Sequence, residues 1–348
     1  MKRDSLTYLI YLVLLPALLL AAACFSRRAH ERPAYKKGRL LMGTVVEITV
    51  SGAEDPNLAR QAVDAAFREI ERVENKFSAY KPDSDVGRIN RLAPGRMLEV
   101  DDETLRLIEA AIDYNAKTAG AFDITVKPLV DLWGFSSHEG RVPSADEIRA
   151  ALSLVGPDKI IVDRPNKKIG VAKEGVRIDL GGIAKGYATD MAIAALKRSG
   201  IKNAIVNSGG DMYCLGRRNA RELWRVGIQH PRRKDSLIAS LALEDAAVNT
   251  SGDYENFFKV GGKRFCHIID PRTGMPVGSL PSSATIIAKN STEAQSLAKV
   301  QMVLGAAEGA GVIEKNFAVD WIVISEEAEG RLSIQESKGI GKYAYKKK

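Results

Sequence analysis

Ile178-Asp179-Leu180-Gly181-Gly182-Ile183-Ala184-Lys185-Gly186-Tyr187 passes from an apolar, strand-like run through two glycines into a helical pattern. The strand is predicted near 176–180 and the helix near 183–199. Such a passage is an anion site by construction, because the first N–H groups of a helix lack partners and glycine lets a ligand close on the backbone. Lys185 stands in the first turn, where a cation opposes the helix dipole, so an anionic partner such as phosphate would explain it. Taken alone, the segment is equally compatible with an ordinary glycine turn and a solvated lysine.

Upstream, residues 39–50 read as a strand, and Asp55-Pro56 caps a helix whose Leu58, Ala62, Ala65, Ala66, Ile70, Val73 and Phe77 share one face. A second helix spans about Asp101–Ala119 and stops at Gly120, and Ser144 with Glu147 forms a capping box for a third that ends by Gly156. Further strands are predicted near 159–163, 168–172, 203–207, 212–216, 224–229, 237–243, 256–260, 264–269 and 282–288, with a turn at Gly261-Gly262 and a last helix near 292–304. Helices mixed with hairpins, without regular βαβ alternation, make an α+β body rather than a doubly wound sheet. No internal repeat or Pro/Gly/Ser linker divides residues 40–337, which read as one domain.

The chain has 348 residues and is 45% hydrophobic, enough for a substantial core. Its formal net charge of +8 suggests nucleic acid until the charge is located. Residues 24–39 carry a net +5, and residues 338–348 form a Lys-rich tail with another +5. The body between them is mildly acidic, which argues against a globular nucleic-acid binder.

Lys2 and Arg3 precede an apolar run from Leu6 to Ala23, which ends in Leu20-Ala21-Ala22-Ala23-Cys24. This pattern reads as a lipoprotein signal peptide over 1–23, with lipidated Cys24 as the membrane anchor and 24–39 as a basic tether. The alternative is an uncleaved membrane helix, disfavoured by the short run and its more basic downstream flank. The expected location is the periplasmic side of a bacterial envelope. Cys214 and Cys266 either pair or lie as buried free thiols, the more ordinary reading of two cysteines. No CxxC, HExxH, GxSxG or GxxxxGK[ST] occurs among only four histidines, so zinc sites, hydrolase elbows and P-loops are excluded.

Two more glycine turns are predicted, at Asn207-Ser208-Gly209-Gly210-Asp211 and Thr250-Ser251-Gly252-Asp253-Tyr254. His267-Ile268-Ile269-Asp270-Pro271-Arg272-Thr273-Gly274 leaves a strand with a histidine, a carboxylate and an arginine in one loop. His267 is a candidate acid/base or phosphate contact, or a satisfied structural histidine, and Asp270–Gly274 is either functional or only a β-turn.

Together with Met42-Gly43-Thr44, Phe77-Ser78-Ala79-Tyr80, Asp83-Ser84-Asp85 and Gly120-Ala121-Phe122-Asp123, these segments resemble, in order, the ApbE family of FAD:protein FMN transferases. The resemblance covers roughly residues 40–305 and implies a single ApbE-type, T-fold-like body of mixed helices and largely antiparallel sheets. It implies that FAD is bound as substrate and that FMN is moved to a Thr or Ser hydroxyl with release of AMP. The acceptor would be an extracytoplasmic protein carrying Asp-x-x-[Ser/Thr]-Gly-[Ala/Ser]-Thr. By the same resemblance, Tyr80 lies against the flavin ring, while Met42, Ala121, Phe122, Asp123, Asp179, Lys185 and Ile269 line the FAD pocket. His267, Lys299 and Asp253 are then the catalytic candidates. A flavin-binding lipoprotein acting as carrier or scaffold, and a pyrophosphatase that cuts FAD to FMN and AMP, are the alternatives.

The family holds Mg²⁺ with a backbone carbonyl at the place of Gly182 and with an Asp and a Thr four residues apart on a later helix. Here those two places hold Gln295 and Lys299. Spacing of four keeps both side chains on one helix face, but an amide beside an ammonium is a poor home for Mg²⁺. Lys299 is therefore expected to stand in for the metal beside the pyrophosphate.

Overall fold

A computed structural model describes residues 34–347 apart from 138, 279–280 and 328–329. The expected leader, Cys24 and residues 25–33 of the expected tether lie outside these residues.

In place of one strand over 39–50, a hairpin is found: β1 (Tyr35–Leu41) and β2 (Thr44–Val50), with Leu41 opposite Thr44. β1 thus begins inside the expected tether. The loop is Met42-Gly43, with φ of 52° and 71°, the left-handed pair that a two-residue hairpin turn demands. Methionine does not favour that region, and the Met42 N–H is held by Glu74 Oε2 at 3.0 Å.

The Asp55 carboxylate caps α1 (Pro56–Phe77) by accepting the Asn57 N–H at 2.8 Å. Ala62, Ala66, Ile70, Val73 and Phe77 are buried along it as predicted, whereas Leu58 in its first turn stays 40% exposed. The next elements are α2 (Asp85–Ile89), β3 (Met97–Glu99), α3 (Asp102–Lys117), α4 (Lys127–Leu132), α5 (Ala145–Leu152), β4 (Ile160–Asp163) and β5 (Lys168–Val171). They are followed by α6 (Ala184–Arg198), β6 (Ala204–Ser208), β7 (Asp211–Leu215), β8 (Trp224–Gln229), β9 (Leu237–Leu243) and β10 (Ala246–Gly252). The chain ends with β11 (Phe257–Val260), β12 (Lys263–Cys266), β13 (Ser283–Ala288), α7 (Ser291–Asn316), β14 (Asp320–Glu326), β15 (Leu332–Glu336) and β16 (Lys346–Lys347).

Eight strands form the main sheet in the order β1-β2-β6-β7-β10-β13-β14-β15, every pairing antiparallel. One face packs on α1, α6 and α7 through Val46, Ile48, Val206, Ile286, Leu297 and Val300. The other packs on the β8–β9 hairpin, where Cys214, Val248 and Ile324 meet Trp224, Val226 and Leu241. β13 is accordingly buried along its whole length. The α+β expectation therefore holds. The Lys-rich C-terminus folds back: β16 pairs with β9, and Lys342 Nζ lies 2.6 Å from Asp320. Cys214 and Cys266 are both buried and unpaired.

Three further expectations need correction. Residues 176–180 belong to no sheet, and a side chain supplies the partner: Asn90 accepts the Ile178 N–H at 2.7 Å and donates to its carbonyl at 2.9 Å. Thr250-Ser251-Gly252 lies within β10 rather than in a turn. The last helix does not end near 304 but continues to Asn316 through a kink at Gly305, whose φ is 75°.

Candidate active site

A cavity of about 600 Å³ opens where the Met42 turn, the glycine turn before α6, the loop after α3 and the His267–Pro271 segment converge. Volumes of ~300–1,000 Å³ suit small-molecule and cofactor ligands. Met42, Tyr80, Ala121, Phe122, Asp123, Asp179, Lys185 and Ile269 all line it, as do Gly182, His267 and Lys299. These eleven were assembled from six separate stretches of sequence.

The glycine turn is held from both sides. Asp179 accepts the Gly181 N–H at 2.7 Å, and its own N–H reaches the Ile124 carbonyl at 2.7 Å. Behind the turn Gln295, 1% exposed, accepts the Gly186 N–H at 2.9 Å and donates to the Gly181 carbonyl at 3.0 Å. Gly186 has no room for a side chain, since a Cβ there would stand 2.2 Å from the Ser291 carbonyl oxygen. That close approach docks α6 on the start of α7. On the opposite wall Asp123 accepts from the Asn115 amide at 3.0 Å, the Thr125 N–H at 2.7 Å and the Thr125 hydroxyl at 2.6 Å. Burial nevertheless raises the carboxyls of both Asp123 and Asp179 above the usual range, against those hydrogen bonds.

Tyr80 marks the outer rim, 64% exposed, with Lys127 Nζ 5.2 Å from its ring centroid. The inner end is ionic. Lys185 Nζ lies 3.0 Å from Asp211, and although burial lowers its pKa, Asp211 outweighs that and holds it above the ordinary lysine value. Lys299 donates to the Ser251 hydroxyl at 3.2 Å. Burial holds its pKa below that of an ordinary lysine, with Glu255 pulling it back up and Lys185 pushing it further down. Glu255 faces the same space, its carboxyl raised by burial against Lys299 and Lys185.

The His267 ring nitrogen Nδ1 lies 3.2 Å from the Asn256 carbonyl, which also accepts the His267 backbone N–H at 2.9 Å. A carbonyl can only accept, so Nδ1 carries the proton and Nε2 is left with a free lone pair. Burial, then the Lys299 charge, pushes the imidazole down to about 3, so it is neutral near pH 7.

Asp253 and Arg272 do not line the cavity. The Asp253 carboxylate is 1% exposed and is gripped by Arg232 at 2.6 and 3.0 Å, with Arg264 at 3.4 Å. Arg272 folds onto Asp270 at 3.0 and 2.9 Å and reaches Glu308, and the turn itself closes through the Gly274 N–H and the Asp270 carbonyl at 2.8 Å. Three polar side chains of the lining have no counterpart in the sequence analysis, Ser136, Glu255 and Asn256, and none carries a local signal of its own.

The donor set does not suit Mg²⁺. Both ends of Gln295 are committed to backbone groups, and Lys185 and Lys299 face the same pocket. Among the described residues no three His, Cys, Asp or Glu side chains are grouped to hold a metal ion. Mg²⁺ asks for carboxylate oxygens and water in octahedral array, not two ammonium groups.

The pocket is lined by apolar groups such as Phe122, Val130 and Phe135 and by Lys185 and Lys299 beside the glycine turn. The chain belongs to the ApbE family, whose sequence profile matches residues 42–323. It is 33% identical over 314 residues to an FAD:protein FMN transferase of Vibrio cholerae, covering 88% of this chain and 91% of that one. A Klebsiella pneumoniae protein of the same description is 32% identical over 328 residues, covering 91% and 92%. The crystal structure of the ApbE protein of Thermotoga maritima superposes with a TM-score of 0.81 at 36% identity, covering 89% of this chain and 99% of that one. The apo flavinyl transferase ApbE of Pseudomonas stutzeri gives 0.80 at 29%, covering 90% and 97%.

Proposed function

We infer that this chain is an FAD:protein FMN transferase, which binds FAD in the cavity and moves FMN onto a Thr or Ser hydroxyl of an acceptor protein. The observation that carries the reading is one cavity with Tyr80 at its rim, two lysines at its inner end and a neutral histidine beside them. The flavin ring belongs at the Tyr80 end, and the pyrophosphate at the end with the glycine turn, Lys185 and Lys299.

The chemistry follows from those positions. The acceptor oxygen attacks the phosphorus on the flavin side, its bond to the bridging oxygen breaks, and AMP leaves with that oxygen. His267 Nε2 is the free base that takes the hydroxyl proton. At about 3 its pKa makes a weak base, but the shift comes partly from Lys299. A bound pyrophosphate offsets that positive charge and raises the imidazole toward the working range. Lys185 and Lys299 stabilise charge on the phosphoryl oxygens, and in phosphoryl transfer such positioning and neutralisation supply most of the rate.

The reading includes a lipid anchor at Cys24, a basic tether and an acceptor on the periplasmic side bearing Asp-x-x-[Ser/Thr]-Gly-[Ala/Ser]-Thr. The apolar run ending in Ala21-Ala22-Ala23-Cys24 supports it, with the basic residues that follow suited to anionic lipid. Intact-mass spectrometry of such an acceptor, incubated with the protein and FAD, tests the activity. A transferase adds one FMN to the acceptor; free FMN with unmodified acceptor would mean a pyrophosphatase, and unchanged FAD a carrier.

A further inference from the structure

Gln295 makes two bonds of opposite sense to the backbone around the glycine turn. The Gly186 N–H requires an acceptor and the Gly181 carbonyl requires a donor, and the one amide supplies both, its oxygen to the first and its nitrogen to the second. A carboxylate there would set oxygen against the Gly181 carbonyl, a contact that needs a cation between the two. The Gln295 amide hydrogen occupies that role. One turn further along α7, Lys299 lines the cavity and donates to the Ser251 hydroxyl, with Glu255, Lys185 and Asp211 as its charged neighbours. Glu255 favours the ammonium form of Lys299 before any ligand arrives, and an anionic ligand would favour it further.

We propose that Gln295 and Lys299 together replace a divalent cation: the amide fixes the glycine turn and the Lys299 ammonium meets the FAD pyrophosphate, so that binding and transfer proceed without Mg²⁺. The transfer half of this proposal rests on the transferase reading; the binding half does not.

Isothermal titration of the full chain, stripped with EDTA, with FAD and separately with riboflavin, with and without millimolar Mg²⁺, tests it. Riboflavin lacks the pyrophosphate and so reports on pocket integrity alone. Mg²⁺ is expected to leave FAD affinity unchanged. Lys299→Met is expected to weaken FAD by roughly 10- to 100-fold, the worth of a charge-assisted hydrogen bond, and to leave riboflavin unaffected. In the double variant Gln295→Asp/Lys299→Thr, Mg²⁺ should tighten FAD binding. The proposal is overturned if Mg²⁺ tightens FAD on the unmodified chain, if Lys299→Met weakens both ligands alike, or if the folded double variant ignores Mg²⁺. Metal-independent FAD binding without FMN transfer would instead remove the transferase reading and leave the binding half standing.

Discussion

Asn90 and Ile178, 88 residues apart, are joined twice, the side-chain amide accepting the Ile178 N–H at 2.7 Å and donating to its carbonyl at 2.9 Å. Gln295 does the same at the other end of the turn with Gly186 and Gly181. Two amides thus bracket the segment that lines the cavity with its glycine turn, and both do the work of a strand partner. Asn90→Asp keeps one acceptor but turns an oxygen on the Ile178 carbonyl. It should cost about 1–3 kcal/mol of stability, more than Asn90→Ala, as read by thermal unfolding. Equal or negligible losses would show that the amide does not hold the turn.

His267 makes stability depend on pH. Its imidazole is held near 3 in the fold against an ordinary 6.5, so the unfolded chain binds more protons between those values and stability rises with pH across that window. His267→Gln should flatten that rise in urea denaturation series, and an unchanged slope would contradict a buried neutral imidazole.

Lys299 should trade stability for binding. With its pKa lowered by burial, its charge weakens the fold at neutral pH, and the fold gains as pH rises toward the ordinary lysine value. Lys299→Met is therefore expected to raise the unfolding free energy by roughly 1 kcal/mol at pH 7, in the range of other relieved functional sites. A lower unfolding midpoint would mean that Lys299 is a structural cation.

Tyr80 should contribute through its ring alone. Tyr80→Ala is expected to weaken FAD by about 1 kcal/mol, or ~5-fold, with Tyr80→Phe unchanged, by quenching of flavin fluorescence. Equal losses in both variants would assign the effect to the phenol.

Asp253 should act on the fold rather than on FAD. Asp253→Ala removes one of the two carboxylates that hold Arg232, Glu326 being the other, and losing those charge-assisted hydrogen bonds costs about 1.5–3 kcal/mol. Chemical denaturation should show that loss, while FAD affinity of the folded fraction persists. An unaltered fold that no longer binds FAD would return Asp253 to the site.

The residues of the cavity were legible because glycine turns and scarce polar groups carry chemistry in short, ordered segments. What those segments touch was not. The hairpin turn hides in Met42-Gly43, because methionine gives no hint of a left-handed φ. Val176–Leu180 has the pattern of a strand yet pairs with a side chain, which periodicity cannot reveal. Gly252 suggests a turn at the end of β10, where it is instead the last residue of a core strand. β14 is a buried Trp321-Ile322-Val323-Ile324 run whose continuous apolar character is itself a strand signal. Glu255 faces the cavity only because β10 and β11 bring the intervening loop there, a tertiary fact with no local sign.

The most direct test of the account is intact-mass spectrometry of an acceptor protein incubated with FAD and the EDTA-treated chain. One FMN on the acceptor with the unmodified chain, and none with Lys299→Met, is the predicted result. An acceptor that gains FMN only after Mg²⁺ is restored, or never gains it, would contradict a flavin transferase that carries its own cation.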